Sequence, residues 1–473
     1  MHANPVQGKK DTPLRRNLRF STIDGVCAMS LVALSQPGNF VLAALLTTTF
    51  AFSTSTYGII TSLPFWFNFL QVLLTPLLAQ RLHARSMTIL SAWLHTVGWI
   101  ALLVALPFLP RSEHPHTIAV FVITFSIISL SAAINGVAWN AWMQECVPVR
   151  LRGKYFGFRN RLLYLSQVCF MLAVSGLLAW LDGALLAYQL LFGGAIVLRI
   201  CSVLSQHQMH STSGAHQPAP EPPWQEQVRT VWRDSNLVRF ILFASVMGFT
   251  VNVVGPFTPV FMFEQLKLTA AHTNLLLLLG VLGAAISFPA WGRLLDRFGN
   301  VPVMIVSVLL WQLSSFFQCF AVPTNHWIFY LIMPAGGLLS AGYGIGLFSL
   351  LLKLTPAQAR TMGMALFVSV SSLTAALGPI TGGFLLNAAK AHGIPLMDAY
   401  HVAFVVSSLL VAATCFLLRR VHEPNSADVT EVMGAMRSVR TVASLFGLTF
   451  LVNQVFFRIG TGRFSTRLRN TLR

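Results

Sequence analysis

Two breaks in apolar sequence place amide side chains where they could bind a solute. Leu34–Phe40 reads LSQPGNF and Thr250–Phe261 reads TVNVVGPFTPVF. Proline removes a backbone donor and frees a carbonyl, so a helix through either segment must break and find other partners. Gln36, Asn39 and Asn252 flank the breaks at Pro37, Gly38, Gly255 and Pro256. Either they line a cavity and bond the hydroxyl or carbonyl groups of an uncharged solute, or they bond a neighbouring helix across a packing kink. In AAINGVAWNAW, residues 132–142, helical spacing puts Asn135, Trp139 and Trp142 on one face. Rings beside amides suit a neutral, partly apolar or sugar-like ligand; helix packing and an interfacial aromatic belt also account for the tryptophans.

Charge gathers in few places. Asp24 and Glu145 lie near the ends of two apolar runs, and VPVRLRG and GFRNRLL supply Arg152, Arg159 and Arg161 as partners. Pairs that break and re-form would make a gate; static pairing at helix ends is the alternative. A third group is WGRLLDRFGN, residues 291–300, with Arg293, Asp296 and Arg297 between Gly292 and Gly299. Its glycines permit a tight turn, Asp296 can face a helix N-terminus, and the arginines can meet headgroups or carboxylates. The group either latches one conformation or anchors the topology. The six cysteines are scattered through apolar runs. His207, His210 and His216 lie in a polar, Pro-rich stretch with no thiol or carboxylate ligand at metal spacing. No enzyme activity, cofactor or metal site is expected.

The composition says what holds these groups. The chain has 473 residues, 55% hydrophobic and 10% charged, with 14 acidic residues and a net charge of +18. A soluble chain carries about 25% charged residues, so lipid is expected to replace water over most of the surface. The basic residues are spread through short gaps rather than clustered, which excludes nucleic acid as a partner. A crossing helix needs about 20 apolar residues. Such runs recur about twelve times, near 21–48, 57–79, 87–109, 117–143, 160–181, 185–206, 237–263, 271–291, 301–322, 327–352, 362–387 and 399–418. These are long runs rather than ten-residue alternations, which argues against a barrel. With the basic N-terminal stretch inside, only Arg111, Lys267 and Lys390 of the 32 Lys and Arg fall outside. Both termini are therefore expected to be cytoplasmic, in a multi-pass protein of the cell (inner) membrane.

Five regions follow: an N-terminal segment 1–20, a six-helix bundle 21–206, a cytoplasmic linker 207–236, a second six-helix bundle 237–420 and a basic, amphipathic tail 421–473. From Pro223 the linker turns amphipathic. In the tail, VRTVASLFGLTFLVNQVFF is read as an interfacial helix, because a thirteenth crossing would carry the basic end outside. The halves align as repeats. VPVRLRGKYFG after the fourth span matches TPAQARTMGMA after the tenth, pairing Pro148 with Pro356 and Arg152 with Arg360, and the same offset pairs Asn135 with Tyr343.

Gly292, Arg293, Asp296, Arg297 and Gly299 resemble the signature loop of the major facilitator superfamily, while Asn300 and Val301 stand where that family usually has Arg or Lys. Over roughly residues 20–420 the resemblance implies an all-α integral membrane fold, with twelve helices in two six-helix bundles around a central cavity. It also implies a secondary transporter. The expected partners are the bilayer, a small solute and a coupling proton or other ion, with the protein a monomer. Asp24 is the first candidate for proton coupling and Glu145 the second. The substrate cavity is expected at Gln36, Asn39, Asn135, Trp139, Asn252 and Tyr343. The amides favour a neutral polar metabolite such as a sugar or nucleoside. The Phe, Met and Trp content leaves efflux of amphipathic compounds open, and a non-transporting sensor on the same fold is a third reading.

Overall fold

A computed structural model describes residues 13–79, 81–209, 224–356, 359–424 and 426–437. No strand occurs among them. In a bilayer every backbone donor and acceptor must be satisfied internally, and long apolar runs meet that demand as helices. The helices are α1 Pro13–Leu34, α2 Phe40–Ala44, α3 Thr54–Ala79, α4 Ala84–Ala105, α5 Pro115–Cys146, α6 Val149–Trp180, α7 Leu185–His207, α8 Trp224–Arg233 and α9 Ser235–Val254. They continue with α10 Thr258–Glu264, α11 Ala270–Phe298, α12 Asn300–Phe316, α13 Phe329–Leu354, α14 Arg360–Ala391, α15 Leu396–Ala413, α16 Cys415–Leu418 and α17 Val429–Arg437.

Eleven helical segments among the described residues are long and apolar enough to cross a membrane. The expected first span, residues 21–48, is not among them, because it is not one helix. α1 stops at Leu34, and the chain restarts as α2 with a π-helical turn, Leu45–Thr49. Pro37 cannot donate, and Gly38 adopts φ +68°, a left-handed conformation that ends the helix.

The chain forms two compact units. Unit 1 takes residues 13–209, 248–275 and 365–400; unit 2 takes 224–247, 276–356, 359–364 and 401–437. This division departs from a cut at the linker, because α9, α11 and α14 are each shared. Inside unit 1 the reason is close packing on glycine. A Cβ at Gly58 of α3 or at Gly383 of α14 would overlap the carbonyl oxygens of Pro379 and Thr54 respectively. Thr54 Oγ1 donates to the Gly383 carbonyl at 3.1 Å. The core of unit 1 is aromatic: Trp99 packs on Phe125 and Phe192, and Phe50 and Phe52 on Phe121.

In unit 2 Trp291, Leu294, Leu295 and Phe298 of α11 pack with Val303 and Val306 of α12 and Ala341 of α13. Val432 of α17 is fully buried in the same cluster. The region expected as a tail therefore begins as part of the fold. The amphipathic part of the linker is α8, with Val231 buried and Trp232 exposed. The interfacial helix expected at 439–457 lies outside the described residues, as do His210 and His216.

Candidate functional site

The two breaks abut within unit 1. A Cβ on Gly38 would stand 3.1 Å from Pro256 Cα. In span seven Gly255–Phe257 forms a 3-10 turn between α9 and α10. The Tyr57 hydroxyl donates to the Pro256 carbonyl at 2.9 Å, and the Tyr57 and Phe257 rings meet edge-on at 5.5 Å. In span one the Ser35 hydroxyl bonds the Leu31 carbonyl at 2.8 Å, lies 3.0 Å from His95 Nε2, and accepts from Trp99 Nε1 at 3.2 Å.

Two of the three amides are occupied by the chain itself. Asn39 caps α2, accepting from the Val41 and Leu42 amides at 2.7 and 3.4 Å, and donates to the Ala33 carbonyl at 2.6 Å. Asn252 donates to the Gly248 carbonyl one turn back, at 2.8 Å. The Gln36 side chain is exposed and makes no hydrogen bond to the described residues.

A buried polar chain runs through the first bundle. Asp24, only 2% exposed, accepts from Ser202 Oγ at 2.7 Å, Gln206 Nε2 at 2.9 Å and Trp139 Nε1 at 3.0 Å. The Arg159 guanidinium lies 4.2 Å from the Trp139 ring centroid, and its Nε donates to the Ser21 carbonyl at 3.2 Å. A Cβ on Gly25 would overlap that guanidinium, so glycine is what lets Arg159 approach. Arg199, 3% exposed, donates to Ser202 Oγ at 3.1 Å and Asn135 Oδ1 at 3.4 Å. Asn135 donates in turn to the Thr88 carbonyl at 2.8 Å and Ser91 Oγ at 3.1 Å.

Asn135 and Trp139 thus point into the bundle and complete its polar core. Arg161 and Glu145 are exposed, and the Arg152 side chain lies outside the described residues. Arg199, Ser202, Gln206 and His95 are absent from the expected site. The charge count placed Arg199 at a membrane face. The signal it missed is the spacing of 199, 202 and 206, which lines one helix face with polar groups.

The signature loop meets an acid from elsewhere. Gly299, at φ +91°, turns the chain from α11 into α12. Asp296, Arg293 and Arg297 are exposed; Arg297 lies over the Phe298 ring at 5.0 Å. The carboxylate at the N-terminus of α12 belongs to Glu423, beyond the last span. It accepts from the amides of Asn300 and Val301 at 2.6 and 2.9 Å and from Asn300 Nδ2 at 2.7 Å. Lys353 Nζ pairs with it at 3.0 Å. Burial alone would raise the Glu423 carboxyl. Bonds from the Val301 amide, Lys353 and Asn300, with the Lys353 charge, outweigh burial and hold it below its ordinary value. Beside it the Ala427 amide donates to the Phe298 carbonyl at 2.8 Å. Asn300, where the family usually has a basic residue, is the buried partner of this acid.

Residues 240–468 match the family model of the Major Facilitator Superfamily. The chain belongs to the major facilitator superfamily. As a superfamily member it is 28% identical over 218 residues to the multidrug resistance protein MdtG of Citrobacter koseri, covering 43% of this chain and 50% of that one. To MdtG of Escherichia coli it is 26% identical over 230 residues, covering 46% and 53%. The chain thus spans about half the length of the curated relatives it matches.

Among solved structures it shares the fold of the nucleoside transporter NupG, with TM-score 0.65 and 16% identity over 85% of this chain and 99% of that one. It shares it also with a D-xylose-proton symporter, with TM-score 0.63 and 16% identity over 85% and 97%. A bacterial homolog of the lysosomal transporter Spinster in an inward-facing, unoccupied conformation has TM-score 0.64 and 13% identity over 87% and 98%. In this superfamily member Tyr343, the repeat mate of Asn135, sits in unit 2. Its ring stacks on Trp311 at 6.3 Å and meets Phe243 edge-on at 6.4 Å.

Proposed function

We propose that this superfamily member is a secondary transporter that works by alternating access and carries a small neutral polar solute of the sugar or nucleoside kind. The abutting breaks carry this reading. Tyr57 holding the Pro256 carbonyl, with the glycine contacts of α3 and α14, makes a seam that separates only if α9, α10 and α14 move against spans one and two. We infer twelve crossings, counting α1 and α2 as one, with the linker and both ends of the chain on the cytoplasmic face. The seam then lies on the outer side of a cell (inner) membrane, in a monomer. Gln36, exposed beside the seam, is the amide available to a solute. Asp24 is the coupling acid, because its three donors release it only if α1 shifts against α5 and α7.

Flux into proteoliposomes, with a pool of neutral metabolites and amphipathic drugs read by mass spectrometry, tests the reading. Accumulation of a sugar or nucleoside that vanishes when the pH difference is collapsed supports it; movement of nothing overturns it. Efflux of amphipathic compounds is the second reading, favoured by the relatives named as multidrug resistance proteins. It predicts selective accumulation of the drugs inside inverted vesicles.

A further inference from the structure

Within unit 2, α11, α12 and α13 line a half-open cavity of about 210 Å³, whose wall includes Trp311, the stacking partner of Tyr343. Trp311 and Ser315, four apart on one face of α12, line one wall with Gln318 of the 3-10 turn that follows the helix. Gly280 of α11 and Gly336 and Gly337 of α13 line the other. A Cβ at Gly337 would overlap the Gly280 carbonyl, so the two helices touch there. At Gly336 a Cβ would come no nearer than 3.9 Å to the Trp311 indole, so that glycine leaves space the fold does not need.

The lining carries no charged side chain. Gln318 is 8% exposed, and its amide oxygen is buried with no partner among the described residues. Buried acceptors are rarely left so, because an unmade hydrogen bond is costly.

We propose that this cavity binds a neutral aromatic alcohol, its ring against the Trp311 indole and its hydroxyl donating to Gln318 Oε1 once a turn of that side chain brings the buried oxygen to the cavity. Size sets the class. An apolar cavity of about 150 Å³ takes benzene. The space here holds one ring and a polar substituent, and falls short of the roughly 300–1,000 Å³ of drug-sized sites. The absence of charge in the wall selects a neutral molecule, and the unpaired acceptor selects a donor.

The test uses the full chain in lipid nanodiscs and a phenol carrying a diazirine, irradiated and mapped by mass spectrometry. Adducts should concentrate on peptides spanning 311–318 and 333–340, and excess phenol should suppress them. The hydroxyl-free diazirine analogue should label these peptides about two- to tenfold less than the phenol does, the same loss of one hydrogen bond. Gly336→Leu, which fills the space, should abolish the adducts. Gln318→Leu should cut them about two- to tenfold, the worth of one neutral hydrogen bond. If Gly336→Leu does not fold, Gln318→Leu and the analogue decide. Adducts spread evenly over the spans, or unchanged in Gln318→Leu, overturn the proposal. The readout is binding, so a failure to transport leaves it standing.

Discussion

Asp24 gathers donors from α5 and α7, and that is where its substitution will be felt. Asp24→Asn keeps the shape but removes the charge that Ser202, Gln206 and Trp139 surround. Losing charge-assisted bonds should destabilise the fold by about 1–3 kcal/mol. If Asp24 couples protons, pH-driven accumulation should vanish while solute exchange persists. A variant that still accumulates solute along a pH gradient would remove Asp24 from that role. Tyr57→Phe deletes one hydroxyl and leaves the Pro256 carbonyl unpaired. It should weaken the seam by about 1 kcal/mol, roughly fivefold in the population that opens there. Faster hydrogen exchange in residues 250–264 checks this. Asp24, Trp139 and Arg159 could be named from sequence, because each stands out beside its neighbours. Their partners could not, since a lone Arg199 within LFGGAIVLRICSV reads as a helix-end charge until the bundle is assembled.

At the scale of elements, two glycine-dependent contacts carry separate predictions. Gly58→Ala puts a methyl where the Pro379 carbonyl lies, so α3 and α14 can no longer close. Exchange should rise in residues 250–264 and 378–385 while the rest of unit 1 keeps its protection; unchanged exchange in both would mean that the seam tolerates the methyl. The strap from Glu423 to α17 is held by a carboxylate whose pKa is depressed. A depressed acid contributes stability above its unfolded value and loses it as pH falls through the folded value. The strap should therefore be firm at neutral pH and loosen below about pH 4.5, the ordinary value of a glutamate. Glu423→Gln should show the loosened state at pH 7, with exchange raised in residues 426–437. Equal exchange in wild type and variant at pH 7 would make the contact inert. The sequence signalled the turn at Gly299 and offered Asp296 to a helix N-terminus or to an arginine; the acid found at the N-terminus of α12 is Glu423. An acid 123 residues away in sequence reaches the N-terminus of α12 only after the last span has folded back.

For the whole molecule, the deciding prediction is the response to a pH jump. A transporter coupled to protons accumulates its solute until the gradient collapses; one without coupling only equilibrates it. Composition and run length by themselves determined that this is a multi-pass helical membrane protein, because the cost of unsatisfied backbone in lipid leaves long apolar runs one solution. The paired breaks and the loop from Gly292 to Gly299 were legible for the same kind of reason: proline, glycine and charge act locally. What only the tertiary structure decided depends on neighbours distant in the chain. Asn135 and Asn39 spend their amides on the protein itself, as does Asn252, a turn along its own helix. Gly58 and Gly383 let α14 join the first half of the chain, and Glu423 rather than Asp296 caps α12. Hydrogen bonds and close packing are short-ranged, so their partners are fixed by which helices meet, and meeting is a property of the assembled bundle.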